Sequence, residues 1–238
     1  MKATDKKYTK NIHYYLDFVP KTLAQLVKIQ AFKFLLDLGC GDGAILFALK
    51  QRGLLKNKKV FAIDISKERI FKAQKIDKNF RCLVMDACKL NKIIPAKSVN
   101  LVISSQVIEH IPDPKEFIKQ IKQVLKTGGF LYLSTVFKKW YGWYFYKSEE
   151  GKWVLDPTHL REYRKEKELL PLFKKAGFRL IHNEKILWRF PVTDFFLKRL
   201  GLSNDIYYRY PLLRKFRLLK VPILGYYYWE LVFKKEIK

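Results

Sequence analysis

The segment that most restricts this chain is Leu35-Leu36-Asp37-Leu38-Gly39-Cys40-Gly41-Asp42-Gly43, an apolar run that takes in one acid and then runs into three alternating glycines. Such a run reads as a buried strand, a tight loop and the start of a helix. Glycine is needed where the backbone must take positive φ or let a ligand touch the main chain, so three in five positions point to a loop beneath a flat, polar, adenosine-type ligand. Gly39, Gly41 and Ala44 satisfy the dinucleotide fingerprint, but Gly43 and the strand acid Asp37 are surplus to it.

Two further runs repeat the arrangement. Val60-Phe61-Ala62-Ile63-Asp64 ends in an acid 25 residues after Gly39, where a carboxylate at a strand tip can accept both ribose hydroxyls. Phe80-Arg81-Cys82-Leu83-Val84-Met85-Asp86-Ala87 closes on another acid. Asp at a strand end is commonly a turn or cap residue, but three successive strands each closing on one favour a shared ligand.

The run Asp37 to Gly43 resembles the first motif of class I S-adenosylmethionine-dependent methyltransferases. The resemblance implies Asp37 near the methionine amino group, Gly39, Cys40 and Gly41 beneath the ribose, Asp64 and Ile65 beside it, Asp86 on the adenine amino group, Ala87 along the ring and Ser104 in the cofactor's surroundings. Asn100 to Pro114, with its Glu-His-Ile-Pro-Asp-Pro ending, is similar to the fourth motif of the small-molecule branch. The likeness is strong from Phe34 to Val136 and weak from Glu162 to Ile186. It implies a Rossmann-like α/β fold: a seven-stranded, mostly parallel sheet with helices on both faces, and Tyr226 to Lys234 as an antiparallel last strand beside Phe178 to Ile186.

One domain of 238 residues is expected: a helical prelude at 1–32, a cofactor core at 33–136, an aromatic connection at 137–165 and an amphipathic basic insertion at 188–225. Pro20 separates or starts the prelude's helices, and Tyr14 and Tyr15 are the residues best placed to stack near the methionine end of the cofactor, the alternative being that they pack as tyrosines on an amphipathic helix usually do. Helices are expected over Ala44–Lys50, Lys67–Gln74, Phe117–Lys126 and near Glu166–Ala176, with a short connection over Leu90–Ser98. Three cysteines without paired spacing fit a reducing compartment, and a polar amino terminus without an apolar core predicts no cleaved signal. The expectation is a cytoplasmic protein, free or peripheral on the membrane's inner face.

A formal charge of +26 draws polyanions: acidic lipid, nucleic acid or a phosphorylated substrate. Trp140, Tyr141, Trp143, Tyr144, Phe145, Tyr146 and Trp153 crowd the connection after the fifth strand, where substrate pockets form. In the basic insertion Phe195, Phe196, Leu200 and Leu202 lie beside Lys198 and Arg199, and Leu212, Leu213, Phe216 and Leu219 interleave with Arg214, Lys215, Arg217 and Lys220. That composition suits an interfacial helix on anionic lipid, or equally a packed helix with solvated cations.

For the chemistry, His159 in Asp156-Pro157-Thr158-His159 is the expected general base toward a hydroxyl acceptor, and His110 the second candidate. Similar quinone-pathway O-methyltransferases carry Glu-x-x-Glu-His as a proposed divalent-metal cluster; here Gln106 replaces the first glutamate, so no essential metal is expected and Glu109 and His110 organise the strand's exit. Ser104-Ser105-Gln106-Val107 offers neither a stacking platform for a flipped base nor a nucleophilic cysteine, which lowers nucleic acid as substrate. The leading reading is O-methylation of a small apolar or lipid-linked acceptor; RNA methylation and a non-catalytic membrane scaffold are the alternatives.

Overall fold

The computed structural model describes residues 19–29, 32–144, 146–148, 151–202, 209–216 and 219–236. The apolar runs become β1 (Phe34–Leu38), β2 (Lys59–Asp64), β3 (Arg81–Val84), β4 (Val99–Ser105), β5 (Leu125–Lys138), β8 (Phe178–Pro191) and β9 (Lys220–Lys235), in sheet order β3-β2-β1-β4-β5-β9-β8. The first five are parallel, while β9 runs antiparallel between β5 and β8 as expected. A two-residue ladder, β6 (Tyr146–Lys147) with β7 (Trp153–Val154), lies in the aromatic connection.

Every residue of β1 is buried because helices cover both faces of the sheet. On one side α1 (Lys21–Ile29), α2 (Ala44–Gln51) and α3 (Lys67–Gln74) enclose Leu35, Val60, Leu101, Ile103 and Tyr132. On the other, Phe117, Ile118, Ile121 and Val124 of α4 (Pro114–Val124) and Phe173 of α5 (Leu170–Lys175) meet Leu36, Val102, Leu131 and Trp229. Each such fully buried side chain contributes about 1.5–3 kcal/mol from area removed from water. Asp113 starts α4, its carboxylate accepting from the amides of Lys115 (2.9 Å) and Glu116 (3.2 Å) with Pro114 in the first turn.

Two expectations are corrected. Helix α4 ends at Val124, not Lys126, because Leu125 is extended and already pairs with Val99. The described part of the prelude is packed on the sheet: Val19, Leu23 and Val27 are core, and Thr22 Oγ1 donates to the buried Glu230 at 3.1 Å. Tyr14, Tyr15 and the first helical half fall outside the described residues. The stretch 188–225 is not helical throughout; its two ends are the outer halves of β8 and β9, joined in register Arg189–Pro222, Phe190–Val221 and Pro191–Lys220, with α6 (Val192–Arg199) and α7 (Pro211–Phe216) between them. Among the described residues no helix is long and apolar enough to cross a membrane.

Candidate active site

The strand order reverses at β1, whose neighbours are β2 and β4, and in open α/β sheets a ligand binds outside the carboxyl ends of the strands at such a point. The three glycines after β1 divide the work. Gly39 (φ +75°) and Gly43 (φ +84°) are packing positions: a Cβ on Gly39 would overlap the Val107 side chain, and one on Gly43 would overlap Ile76. Gly41 (φ +56°) is the open one, with nothing nearer to an added Cβ than Arg69 Nη1 at 3.7 Å. Its amide donates to Asp64 Oδ2 (2.9 Å), and the Ser66 amide donates to Asp64 Oδ1 (2.9 Å). Asp64 is therefore fixed before any ligand arrives, with a second lone pair on each oxygen to spare.

Asp37 is buried, and its Oδ2 has no hydrogen-bond partner in the protein. Burial, and next the charge of Asp64, push its carboxyl up to about 8. A buried carboxyl missing a partner beside a second carboxylate suits a cationic amino group. Ser104 Oγ is likewise buried without a partner. Asp86 caps the short 3-10 turn Ala87–Lys92, accepting from the Cys88 amide at 2.8 Å, while its Oδ2 lies 3.9 Å from Lys89 Nζ. Ile65 is 77 % exposed, presenting an apolar wall at the rim. Burial first and the nearby Asp37 second push the Cys40 thiol well up.

A second cluster gathers beyond β4. Gln106 takes positive φ (57°), uncommon outside glycine and a mark of functional constraint. With its amide turned to satisfy both ends, it donates to Glu109 Oε1 (3.0 Å) and accepts from the Thr135 amide (3.3 Å). Glu109 is fully buried, its Oε2 accepting from Thr135 Oγ1 at 3.0 Å, and burial pushes its carboxyl up to about 7. Its carbonyl accepts from the amides of Leu160 (3.0 Å) and Arg161 (3.3 Å), which draws in the segment carrying His159. The Arg161 guanidinium then grips the turn after β4, donating to the carbonyls of Ile108 (3.1 Å), Pro112 (3.1 Å) and Ile111.

In that junction the rings of His110 and His159 meet edge to face with centroids 4.9 Å apart. His159 Nδ1 is 3.0 Å from Glu162 Oε1, and His110 Nδ1 is 3.2 Å from the Thr158 carbonyl. These partners assign the Nδ1 protons and leave each Nε2 as an acceptor. Glu162 is held from all sides: the Leu155 amide (2.6 Å) donates to Oε1, the Tyr226 hydroxyl (3.2 Å) to Oε2, and Lys138 Nζ lies 3.7 Å from Oε2. Burial lowers the Lys138 amine, partly countered by Glu162.

The model of a methyltransferase domain family matches residues 8–183 of this sequence. The chain belongs to that family. It is a class I S-adenosylmethionine-dependent methyltransferase, and the bare Gly41, the pre-set Asp64 and the unpartnered Asp37 are the parts that would hold that cofactor. The methyltransferase is similar to the ubiquinone biosynthesis O-methyltransferases of Coxiella burnetii, 28 % identical over 189 residues covering 75 % of each chain, and of Idiomarina loihiensis, 27 % over 177 residues covering 69 % of each. Among solved structures it resembles the [4+2]-cyclase SpnF (TM-score 0.63, 20 % identity, 91 % of this chain and 82 % of that one). It also resembles a SAM dependent methyltransferase from Aquifex aeolicus (TM-score 0.58, 17 % identity, 99 % and 100 %). At those identities the structures establish fold alone.

His159 and His110 stand out in the sequence of this methyltransferase, whereas Glu162 and Arg161 do not: Arg161 is met by carbonyls of 108–112, and Glu162 by Tyr226 and Lys138 as well as by its neighbours His159 and Leu155. In the sequence the metal question rests on Gln106 alone. In the structure His159 joins Glu109 and His110, and one ligand atom of each lies within 4.8 Å of the others. One carboxylate and two imidazoles suit a borderline cation such as Zn2+ better than Mg2+. A second grouping is His182, Glu184 and Glu230, whose Glu230 accepts from Tyr132 (2.5 Å) and Thr22 (3.1 Å) much as Glu109 accepts from Gln106 and Thr135.

Proposed function

We propose that this methyltransferase methylates a hydroxyl oxygen of a small, apolar, lipid-linked acceptor. The observation that carries the reading is the buried Glu162–His159 pair, whose contact through Nδ1 leaves Nε2 as an acceptor in a segment docked on the turn after β4. The names of the curated relatives and the aromatic connection above the pair support the same class of acceptor.

S-adenosylmethionine supplies an activated methyl group on a sulfonium, so this chain's task is alignment, exclusion of water and removal of one proton. His159 Nε2 takes the proton of the acceptor hydroxyl. Glu162 keeps the imidazole in the required tautomer and balances the charge it gains. Glu109 and Arg161 hold the two segments together, so the base keeps its distance from the cofactor site.

The test is incubation of the full chain with labelled cofactor and a panel of alkylated catechols and phenols, read by mass spectrometry. A single O-methyl product is expected. Methyl incorporation into transfer RNA with none into the panel would instead support the RNA reading that the +26 charge also suits.

A further inference from the structure

We infer that the aromatic turn after β5 and the outer end of the β8–β9 ribbon form one surface that seats the enzyme on an anionic lipid bilayer, at the end of the sheet where the acceptor enters. This rests on the reading of the acceptor as lipid-linked. The two pieces are joined by their backbones. Lys139 N donates to the Gly225 carbonyl at 2.8 Å, and a Cβ on Gly225 (φ +78°) would come within 2.5 Å of Gly142 Cα. Trp140 (86 % exposed) and Tyr141 therefore lie beside Leu224 (71 % exposed), the residue before Gly225, with the exposed Leu219 at the ribbon's outer end. Large apolar groups held open to solvent in one contiguous patch call for an apolar partner.

Position and charge select which partner. Lys138, where β5 ends against Tyr226, reaches Glu162 with its amine, so the patch begins directly above the pair that orients His159. Residues 188–225 carry eight Lys or Arg against two Asp. Lys139, Arg189 and Lys220 are exposed on the same turn and ribbon as Trp140, Tyr141 and Leu224, a composition that matches the headgroup layer of an acidic membrane, where rings and chains enter the acyl boundary and amines meet phosphates. A folded RNA would satisfy the cations but leave Trp140 and Leu224 exposed.

Flotation of the full chain with vesicles needs no acceptor, so its failure is separate from a failure of the O-methylation reading, which turnover judges. The chain is expected to float with phosphatidylcholine vesicles containing phosphatidylglycerol, less with phosphatidylcholine alone, and less again as salt rises. Trp140→Ser combined with Leu224→Ser is expected to lower partitioning about tenfold while S-adenosylhomocysteine affinity and Tm stay as in the parent. No flotation overturns the inference, and so does a double variant that floats like the parent. Equal binding to both vesicle types removes the anionic requirement. A dimer that the double variant breaks, without flotation of the parent, assigns the surface to a second copy instead.

Discussion

The cofactor half and the acceptor half of this enzyme are built on opposite plans. Asp37, Gly41, Asp64 and Asp86 lie at the tips of three consecutive strands within fifty residues, and each is placed by its own strand and turn. The acceptor half is assembled across the chain: Arg161 reaches back to Ile108, His110 to Thr158, and Glu162 forward to Tyr226. Local units suffice to hold a ligand whose shape never changes.

The largest effect expected of any change falls in the assembled half. His159→Asn is expected to lower kcat about 10²–10⁴-fold with cofactor affinity unchanged, the range for losing a general base; turnover within threefold of the parent would remove the role. Next comes a contrast inside the local half. Gly39→Ala should lower stability by about 2–3 kcal/mol, since the new Cβ meets Val107 at positive φ. Gly41→Ala should cost roughly 1–2 kcal/mol, for backbone conformation alone, yet weaken S-adenosylhomocysteine binding more than its stability loss accounts for. Equal effects on stability and binding at both sites would erase the distinction between a packing glycine and a ligand glycine. Calorimetry and thermal melts measure both quantities. A smaller effect is assigned to Glu162→Gln: kcat down about tenfold with cofactor KM unchanged, and a loss of about 1–2 kcal/mol of stability as Lys138 loses its buried counter-charge.

The contrast also sets what could be read beforehand. Strand tips carrying Asp37, Asp64 and Asp86 announce themselves because apolar run, acid and turn are contiguous. Which glycine faces the ligand does not, because the answer depends on Val107 and Ile76 arriving from other elements. Glu162 and Arg161 look like ordinary solvated charges until the chain folds, and only then does Glu162 face His159 and Arg161 the carbonyls after β4. The ribbon was concealed by its composition: Lys220 to Leu224 mixes cation and apolar residues in a way that a helical wheel half fits, whereas cross-strand pairing with Arg189, Phe190 and Pro191 makes it a strand. The tertiary partner, absent from the local pattern, decides between the periods.

The pH dependence of cofactor-product binding tests whether the local half is preset for a cation. Asp37 is pushed up to about 8 by burial and by Asp64, so near neutral pH the ligand-free protein holds a proton there. An ammonium group binds the ionised carboxylate, and that proton must leave first. The affinity for S-adenosylhomocysteine should therefore fall as pH drops below 8, approaching tenfold per unit, and level off above it. The sign for stability is the reverse. A carboxyl whose folded value exceeds its unfolded one contributes stability that is fully present below the unfolded value of 3.8 and is lost as pH rises through about 8. The ligand-free chain should thus lose part of its stability from this site between those limits, while the increment in Tm given by saturating S-adenosylhomocysteine grows. Asp37→Asn should flatten both dependences. An affinity independent of pH between 6 and 8 in the parent would mean that Asp37 ionises without help and that the cation is met elsewhere.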